Sequence, residues 1–414
     1  MTPDLLIIGG GIIGISAAYY LARQGIAVTV IEKGEIGSGS SYGNAGLLCP
    51  CHSTPLAMPG VLTQGIKWLL DGESPFYIKP RLDRDLINWL WHFRSYCNQA
   101  AFETAVPILR DMQRASLALY RELIEQEQIA CHFEQNGGLS LYRTAAGIEH
   151  GQQEAAEMRR FGLNMTVLDG AEARVLEPAI HPEVIGAVHY EEDAFLTPHL
   201  FLQGLAQAAA AHGAVILPQT EVLGFAREKG RISAVNTTRG ELRAAQILLA
   251  AGVWSAPVAR ELGVRFPLQP AKGYSITVPR PPNAPRKYLY LGEAKVAVTP
   301  MGERLRYAGT LELAGFDFSI NRRRVDAILR AADAYLVQNE PQEAGEIWRG
   351  MRPCSPDGLP YIGRSRAIPN LIVGTGHAML GMSMGPITGK LLGEIVQQQP
   401  PSIPLQPFRV ERFS

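Results

Sequence analysis

The chain has no excess of either charge: 39 lysines and arginines stand against 39 aspartates and glutamates in 414 residues. No global field exists to gather a polyanion, so neither a nucleic acid nor an anionic membrane is expected as an electrostatic partner. Cysteine is scarce. The five, Cys49, Cys51, Cys97, Cys131 and Cys354, are odd in number and scattered, which argues against a disulfide framework and for a reducing, cytoplasmic compartment. Cys49-Pro50-Cys51-His52 is their one cluster. It lacks the second pair that a zinc site needs, so no metal is expected. Unbroken hydrophobic runs are missing too. Residues 5–22 carry no charge but include Gly9, Gly10, Gly11 and Gly14, with no basic segment ahead and no small-residue cleavage site. Residues 371–389 hold five glycines, His377 and Pro386. Both read as buried strand, turn and helix rather than as membrane span or leader. Repeats and low-complexity tracts are absent. What remains, 46% apolar and 19% charged, is ordinary for a globular protein, and the length suggests two domains.

The first ordered signal is Leu5-Leu6-Ile7-Ile8, an apolar run ended by glycines, which reads as a buried parallel strand. Residues 12–24 carry helical apolar spacing, and Ala27-Val28-Thr29-Val30-Ile31 is a second buried strand, completing a βαβ unit. Residues 65–143 read as mostly helical, with an aromatic middle at Trp68, Trp89, Trp91, Phe93 and Tyr96. A helix over 200–212 leads to a strand over 214–217. Residues 221–250 alternate like a β-meander, with turns at 228–230 and 239–240, and 245–251 form another buried strand. Residues 267–309 are rich in proline, tyrosine and β-branched residues and predict a separate antiparallel sheet. A helix over 325–338, a strand over 370–374 and a helix over 386–397 follow.

Gly9-Gly10-Gly11-Ile12-Ile13-Gly14 matches G-x-G-x-x-G after a strand and at a helix start, the context a dinucleotide site requires. Gly9 permits the tight turn, Gly11 admits a pyrophosphate to the backbone, and Gly14 lets helix pack on strand. The helix N-terminus supplies N–H groups and the positive end of its dipole. Glu32 ends the second strand, placed to accept from an adenosine ribose and to repel a 2′-phosphate. These residues alone leave NAD and FAD open. The small and hydroxyl residues from Gly37 to Gly46 suit a long cofactor lying along the backbone, with Ser40, Ser41 and Asn44 as donors; they equally suit a surface loop.

Taken in order, several segments resemble the D-amino acid dehydrogenase and glycine oxidase group of FAD-dependent amine oxidoreductases. Beyond the glycine motif these are Ser40-Ser41-Tyr42-Gly43-Asn44-Ala45-Gly46, Ile66-Lys67-Trp68-Leu69-Leu70, Ser74-Pro75-Phe76-Tyr77-Ile78-Lys79-Pro80 and Pro270-Ala271-Lys272-Gly273-Tyr274-Ser275. Arg349-Gly350-Met351-Arg352-Pro353-Cys354-Ser355-Pro356-Asp357-Gly358 and Gly374-Thr375-Gly376-His377-Ala378-Met379-Leu380-Gly381 complete the set. The chain is also similar to the third subunit of hydrogen cyanide synthase and to D-hydroxyproline dehydrogenases. It departs from the bacterial D-amino acid dehydrogenase pattern at Leu380-Gly381-Met382-Ser383-Met384-Gly385-Pro386, which favours a sister branch.

The resemblance implies an α/β (α+β overall) chain with a Rossmann-like FAD-binding domain from 1–50, 195–255 and 345–414. A substrate domain with a mainly antiparallel sheet and helices would take 51–194 and 256–344. FAD would be held by Gly9, Gly11, Ile12, Ile13 and Gly14, then Glu32 and Lys33. Next come Ser40, Ser41, Asn44, Ala45, Gly46 and Leu47, then Val222, Ala251, Gly252 and Trp254. Gly363, Gly376, His377, Met379, Leu380, Gly381, Met382 and Ser383 would close the list, with Gly363 and Gly381 allowing close approach to the flavin ring. The implied activity is oxidative deamination of a small amino acid, of the D series, by hydride transfer from Cα to flavin N5. An imino acid and then a 2-oxo acid would result. A glycine or D-amino acid oxidase using O₂ and a D-hydroxyproline dehydrogenase subunit are the alternatives. The acceptor would be a quinone, a partner protein or O₂, and the segment over 66–96 could touch a partner subunit or the inner face of the cell membrane.

A substrate carboxylate in a dry pocket calls for a bidentate arginine. The family's carboxylate-binding arginine falls on Arg352; a structural arginine paired with Glu346 or Asp357 is the alternative. Tyr274 is a candidate donor to the same carboxylate or a core tyrosine. His52 is placed near the entrance, and His377 is expected to position backbone rather than to move protons. Hydride transfer itself needs little acid–base machinery.

Overall fold

The computed structural model describes residues 3–69, 74–337 and 345–413. Leu70 and Gln338, which the sequence places in a family segment and at a helix end, lie outside them. A six-stranded sheet runs Tyr361–Arg364, Leu371–Thr375, Gln246–Leu249, Leu5–Ile8, Val28–Ile31, Val215–Leu217. All neighbours are parallel except the edge strand Tyr361–Arg364. Every residue of Leu5–Ile8 and Val28–Ile31 is buried, as continuous apolar strands covered on both faces must be.

The helices Ile12–Arg23, Pro198–Ala211 and Gly385–Val396 share one core against this sheet. Their approach is close because small residues meet: a Cβ on Gly389 would sit 2.4 Å from Cβ of Ser16. The 28-residue helix Gln99–Gln126 adds Leu109, Met112 and Tyr120 to the same core. On the other face lies the expected meander, Val222–Glu228, Arg231–Thr237 and Gly240–Leu242. Its first reversal uses Lys229 and Gly230, both at positive φ, the backbone that tight hairpin turns demand.

The second sheet has nine strands. Glu346–Cys354 forms its edge, followed by Gln269–Pro279, Arg304–Leu313, Val296–Met301 and Tyr288–Leu291. Gly138–Tyr142, Gly186–Tyr190 and Met165–Asp169 continue it, and Phe76–Ile78 pairs with Arg304–Leu313. Pairing is antiparallel except at Tyr288–Leu291 with Gly138–Tyr142 and at Phe76–Ile78.

The observed elements add detail to three expectations. Residues 65–143 are helical over Val61–Leu69, Arg84–Tyr96 and Gln99–Gln126 but not at Phe76–Ile78 or Gly138–Tyr142. In Gly138–Tyr142 the leucines Leu139 and Leu141 alternate with Ser140 and Tyr142, a period of two; a Cβ on Gly138 would lie 2.1 Å from the Tyr288 ring. The strand Glu346–Cys354, assigned above to the dinucleotide-binding unit, hydrogen-bonds along Gln269–Pro279 in the second sheet. The helix Gln99–Gln126, assigned to the substrate unit, buries its apolar face in the nucleotide-side core.

Candidate active site

A cavity of about 1050 Å³ is lined by residues from both sheets. At one end is the glycine turn. Gly9 has φ +114°, and a Cβ there would meet Ala250 O at 2.5 Å. A Cβ on Gly14 would lie 2.0 Å from Gly9 O, so helix and turn close on each other only without side chains. Gly11 is different: a Cβ there would meet only Ser41 Oγ, at 3.4 Å, so its face is open to the cavity. The Ile12 N–H donates to Ser41 Oγ at 3.1 Å. Glu32 accepts from the N–H groups of Gly10 (2.8 Å) and Gly34 (3.0 Å), which fixes its carboxylate at the cavity wall. Lys33 places Nζ 3.6 Å from the centroid of the Trp254 ring, and Trp254 stacks on Phe316 at 4.5 Å.

The Gly37–Gly46 segment is a built wall, not a loose loop. Ser40 Oγ donates to Met351 O at 2.5 Å, tying the segment to the strand that carries Arg352. Asn44 Oδ1 accepts from the Gly46 N–H at 2.8 Å, and Arg306 donates to the carbonyls of Tyr42 and Asn44, both at 2.8 Å. Ala45, Leu47, Val222, Ala251 and Gly252 also face the cavity, as do Ile12 and Ile13. Its far wall is the turn Ala378–Gly381, with Met379, Leu380, Gly381 and Met382 on the lining.

Other expected cofactor residues act behind the lining. Gly46 has φ +76° and would clash with Leu196 O at 2.2 Å if it bore a Cβ; Gly376 has φ +85° and sits 2.8 Å by the same test from Tyr361. Ser383 is buried between the Cys49 N–H (3.2 Å) and Gln113 Oε1 (2.7 Å). Gly363 is a correction: it sits on the edge strand beside Val410, away from the cavity, so it cannot give close approach to a bound ring. His377 lines the cavity but its Nε2 pairs with Thr388 Oγ1 at 3.0 Å in the last helix. Burial pushes it down to about 3, so it is a neutral tether between turn and helix.

The other end is organised by Arg352. The strand Gln269–Pro279 passes beside it, and a Cβ on Gly273 would lie 2.1 Å from Arg352 Nη1. The guanidinium therefore rests on bare backbone, which is the physical use of glycine in the segment 270–275. Arg352 Nη1 donates to Thr310 O at 2.7 Å. Thr310 sits at φ +68°, a costly conformation for a β-branched residue. It lies where the ladder between Lys272–Glu312 and Tyr274–Gly309 skips a residue, so a β-bulge aims its carbonyl at the arginine.

Arg352 is half-buried, and desolvation lowers its affinity for the proton. Glu346 and Asp357, the partners considered above, are engaged elsewhere: Glu346 accepts from Tyr42 at 3.1 Å, and Asp357 pairs with Arg412 at 2.6 Å. Among the described residues Arg352 has no carboxylate partner. A partly desolvated cation without a counter-charge carries a cost, and an anionic ligand offsets it.

Tyr274 touches the cavity lining, but its ring is in the core of the second sheet and its hydroxyl accepts from the Asn321 N–H at 3.2 Å. Tyr290, not singled out from the sequence, also lines the cavity. Its signal was the alternation Tyr288-Leu289-Tyr290-Leu291, which places the two tyrosines on one sheet face. His52 lines the cavity with ring centroids 4.4 Å from Tyr190 and 5.6 Å from Tyr290. Burial first, then the Lys295 charge, push it down to about 4, so it is neutral at pH 7. Behind it Asp193 accepts from Tyr288 Oη (2.6 Å) and the Cys51 N–H (2.9 Å), and burial pushes it up to about 7. No group of three or more His, Cys, Asp or Glu suited to a metal occurs among the described residues.

Turn, carboxylate and a cavity of about 1050 Å³ together fit a dinucleotide whose far end reaches Arg352. Residues 4–395 match the family described as FAD dependent oxidoreductase, and the chain belongs to that family. It is 30% identical over 416 residues to D-amino acid dehydrogenase of Granulibacter bethesdensis, with 99% of each chain covered. It is 33% identical over 425 residues to D-amino acid dehydrogenase of Xanthobacter autotrophicus, again over 99% of both. Glycine oxidase from Geobacillus kaustophilus has the same fold, with a TM-score of 0.80 at 25% identity over 99% of each chain. The protein is an FAD-dependent oxidoreductase, and the NAD alternative falls away.

Proposed function

We propose that this chain oxidises a small amino acid of the D series at its Cα–H bond. One observation carries the reading: Arg352 is a half-buried guanidinium without a counter-charge, on the wall of the cavity whose other end is the dinucleotide turn. FAD, when bound, supplies the hydride acceptor. Arg352 holds the substrate carboxylate through paired N–H donors, fixed by the Thr310 carbonyl and by Gly273. Tyr290 and His52 close the opposite wall and exclude water. With His52 and His377 neutral and no carboxylate on the lining near Arg352, no side chain is required as base; the dry cavity favours the neutral α-amine that must be present when the hydride leaves. The imino acid so formed hydrolyses to a 2-oxo acid and ammonia.

The D preference rests on relatives named D-amino acid dehydrogenase. The same names support a quinone or partner protein, rather than O₂, as electron acceptor. Leu82, Ile87 and Trp91 are exposed, at and before a helix whose Leu90 and Phe93 line the cavity, and offer such an acceptor an apolar approach. No described helix is long and apolar enough to cross a membrane. The test is dye-linked turnover across D- and L-amino acids, glycine and hydroxyprolines, with and without O₂. Turnover of D-amino acids with the dye and little O₂ uptake is expected; oxidation of L-amino acids alone would overturn the D assignment.

A further inference from the structure

The charged residues on the cavity wall are unevenly placed. Glu32, Lys33 and Glu221 belong to the dinucleotide end. The substrate end has Arg352 and one more cation, Lys295, with no carboxylate to balance either. We propose that Lys295, with Tyr290 and His52 beside it, forms a second anion-reading subsite, so that the preferred substrate is an amino acid with a carboxylate on its side chain. This rests on the function proposed above and names its substrate class.

Lys295 is not a lysine stranded at random on a loop. It occupies the turn between Tyr288–Leu291 and Val296–Met301 at φ +55°, a left-handed position uncommon for a side chain of its kind. The Lys295 N–H donates to Leu291 O at 2.7 Å, which closes the turn. The side chain folds back over the strand and sets Nζ 5.8 Å from the Tyr290 ring centroid.

The nearest acid in sequence, Glu293, is spent elsewhere. Its carboxylate accepts from the N–H groups of Arg143 (3.0 Å) and Thr144 (3.1 Å) and from the Tyr335 hydroxyl. Lys295 thus makes no ion pair among the described residues. His52 and Tyr290, with ring centroids 5.6 Å apart, line the cavity together with both cations, so Lys295 and Arg352 flank one space. A substrate bearing one carboxylate satisfies only Arg352. One bearing two satisfies both, while His52 and Tyr290 cover the carbon chain between them.

The test compares substrates that differ in charge and little else. In the holoenzyme, kcat/KM for D-glutamate is expected to exceed that for D-glutamine by about tenfold or more, the ratio one charge-assisted contact gives. Lys295→Gln should bring the ratio toward one, Lys295→Glu should invert it, and Lys295→Arg should preserve it. A second readout needs no turnover: titration of the bound flavin's absorption with succinate against butyrate should show the same preference and the same loss in Lys295→Gln. A wild-type ratio at or below one, or a ratio unmoved in Lys295→Gln, overturns the inference. If neutral D-amino acids are oxidised and acidic ones are not favoured, the subsite alone fails. If no amino acid is oxidised, the function proposed above fails and the succinate titration still decides the subsite.

Discussion

Replacing Arg352 with alanine separates the function of this residue from its cost. The guanidinium is half-buried, donates to Thr310 O at 2.7 Å, and has no carboxylate partner among the described residues. Removing one partner of a buried, hydrogen-bonded charge pair costs about 2–5 kcal/mol of binding, or about 30-fold to about 4000-fold in kcat/KM. The loss should be shared between KM and kcat, because the carboxylate contact also aims the Cα–H bond. Arg352→Lys should fall between, keeping charge but losing the fork. Stability should move little. The substrate-free wild type carries an uncompensated, partly desolvated cation, so the alanine variant should melt at close to the wild-type temperature. The assay is steady-state dye reduction, with the flavin spectrum and thermal midpoint of each variant. A kcat/KM within about threefold of wild type would refute the argument, as would flavin loss in step with activity.

Three further outcomes follow from the geometry. Gly273→Ala puts a methyl 2.1 Å from Arg352 Nη1; the guanidinium must swing, so kcat/KM should fall about tenfold or more with FAD retained, and adding Arg352→Ala should cost little extra, as a double-mutant cycle would show. Gly14→Ala sets Cβ 2.0 Å from a backbone oxygen, where nothing flexible can yield; about 1–3 kcal/mol of overpacking and loss of FAD are expected, read from melting and from the ratio of flavin to protein absorbance. Asp193 is pushed up to about 7 from an ordinary value of 3.8, chiefly by burial. The folded state holds that proton longer than the unfolded state, so its contribution is full below about pH 4 and is lost as pH rises toward 7. Asp193→Asn should remove that decline: across pH 4–7 its stability relative to wild type should improve with rising pH, and an unchanged difference in melting profiles would count against a buried, protonated Asp193.

The dinucleotide end was legible because its signals are local. A strand, three glycines, a helix and a terminal glutamate lie within about thirty residues, and the close backbone approaches expected at Gly9 and Gly14 are made in the structure. Arg352 was legible through its segment, and the bare Gly273 opposite explains why that segment needs its partner strand. The substrate end was harder. Tyr290, Lys295 and Thr310 reach the cavity only after strands far apart in sequence pair, and Thr310 does so through a bulge that no single segment announces. Tyr274 was ambiguous for the opposite reason: its strand is buried on both faces, so alternation of polar and apolar residues could not say which side faced the cavity. Gly363 looked like a residue making room for a ring, yet on an edge strand its missing side chain opens nothing toward the site.

Anaerobic mixing of the purified flavoprotein with a single D-amino acid, followed at the flavin absorption band, tests the central claim most directly. The claim is that Arg352 holds an amino acid carboxylate within reach of the FAD end of one cavity. The expected result is rapid bleaching with the D enantiomer, slow or absent bleaching with the L enantiomer, and little bleaching by either in Arg352→Ala. A flavin that stays oxidised with every amino acid, or that bleaches equally well without Arg352, would contradict it.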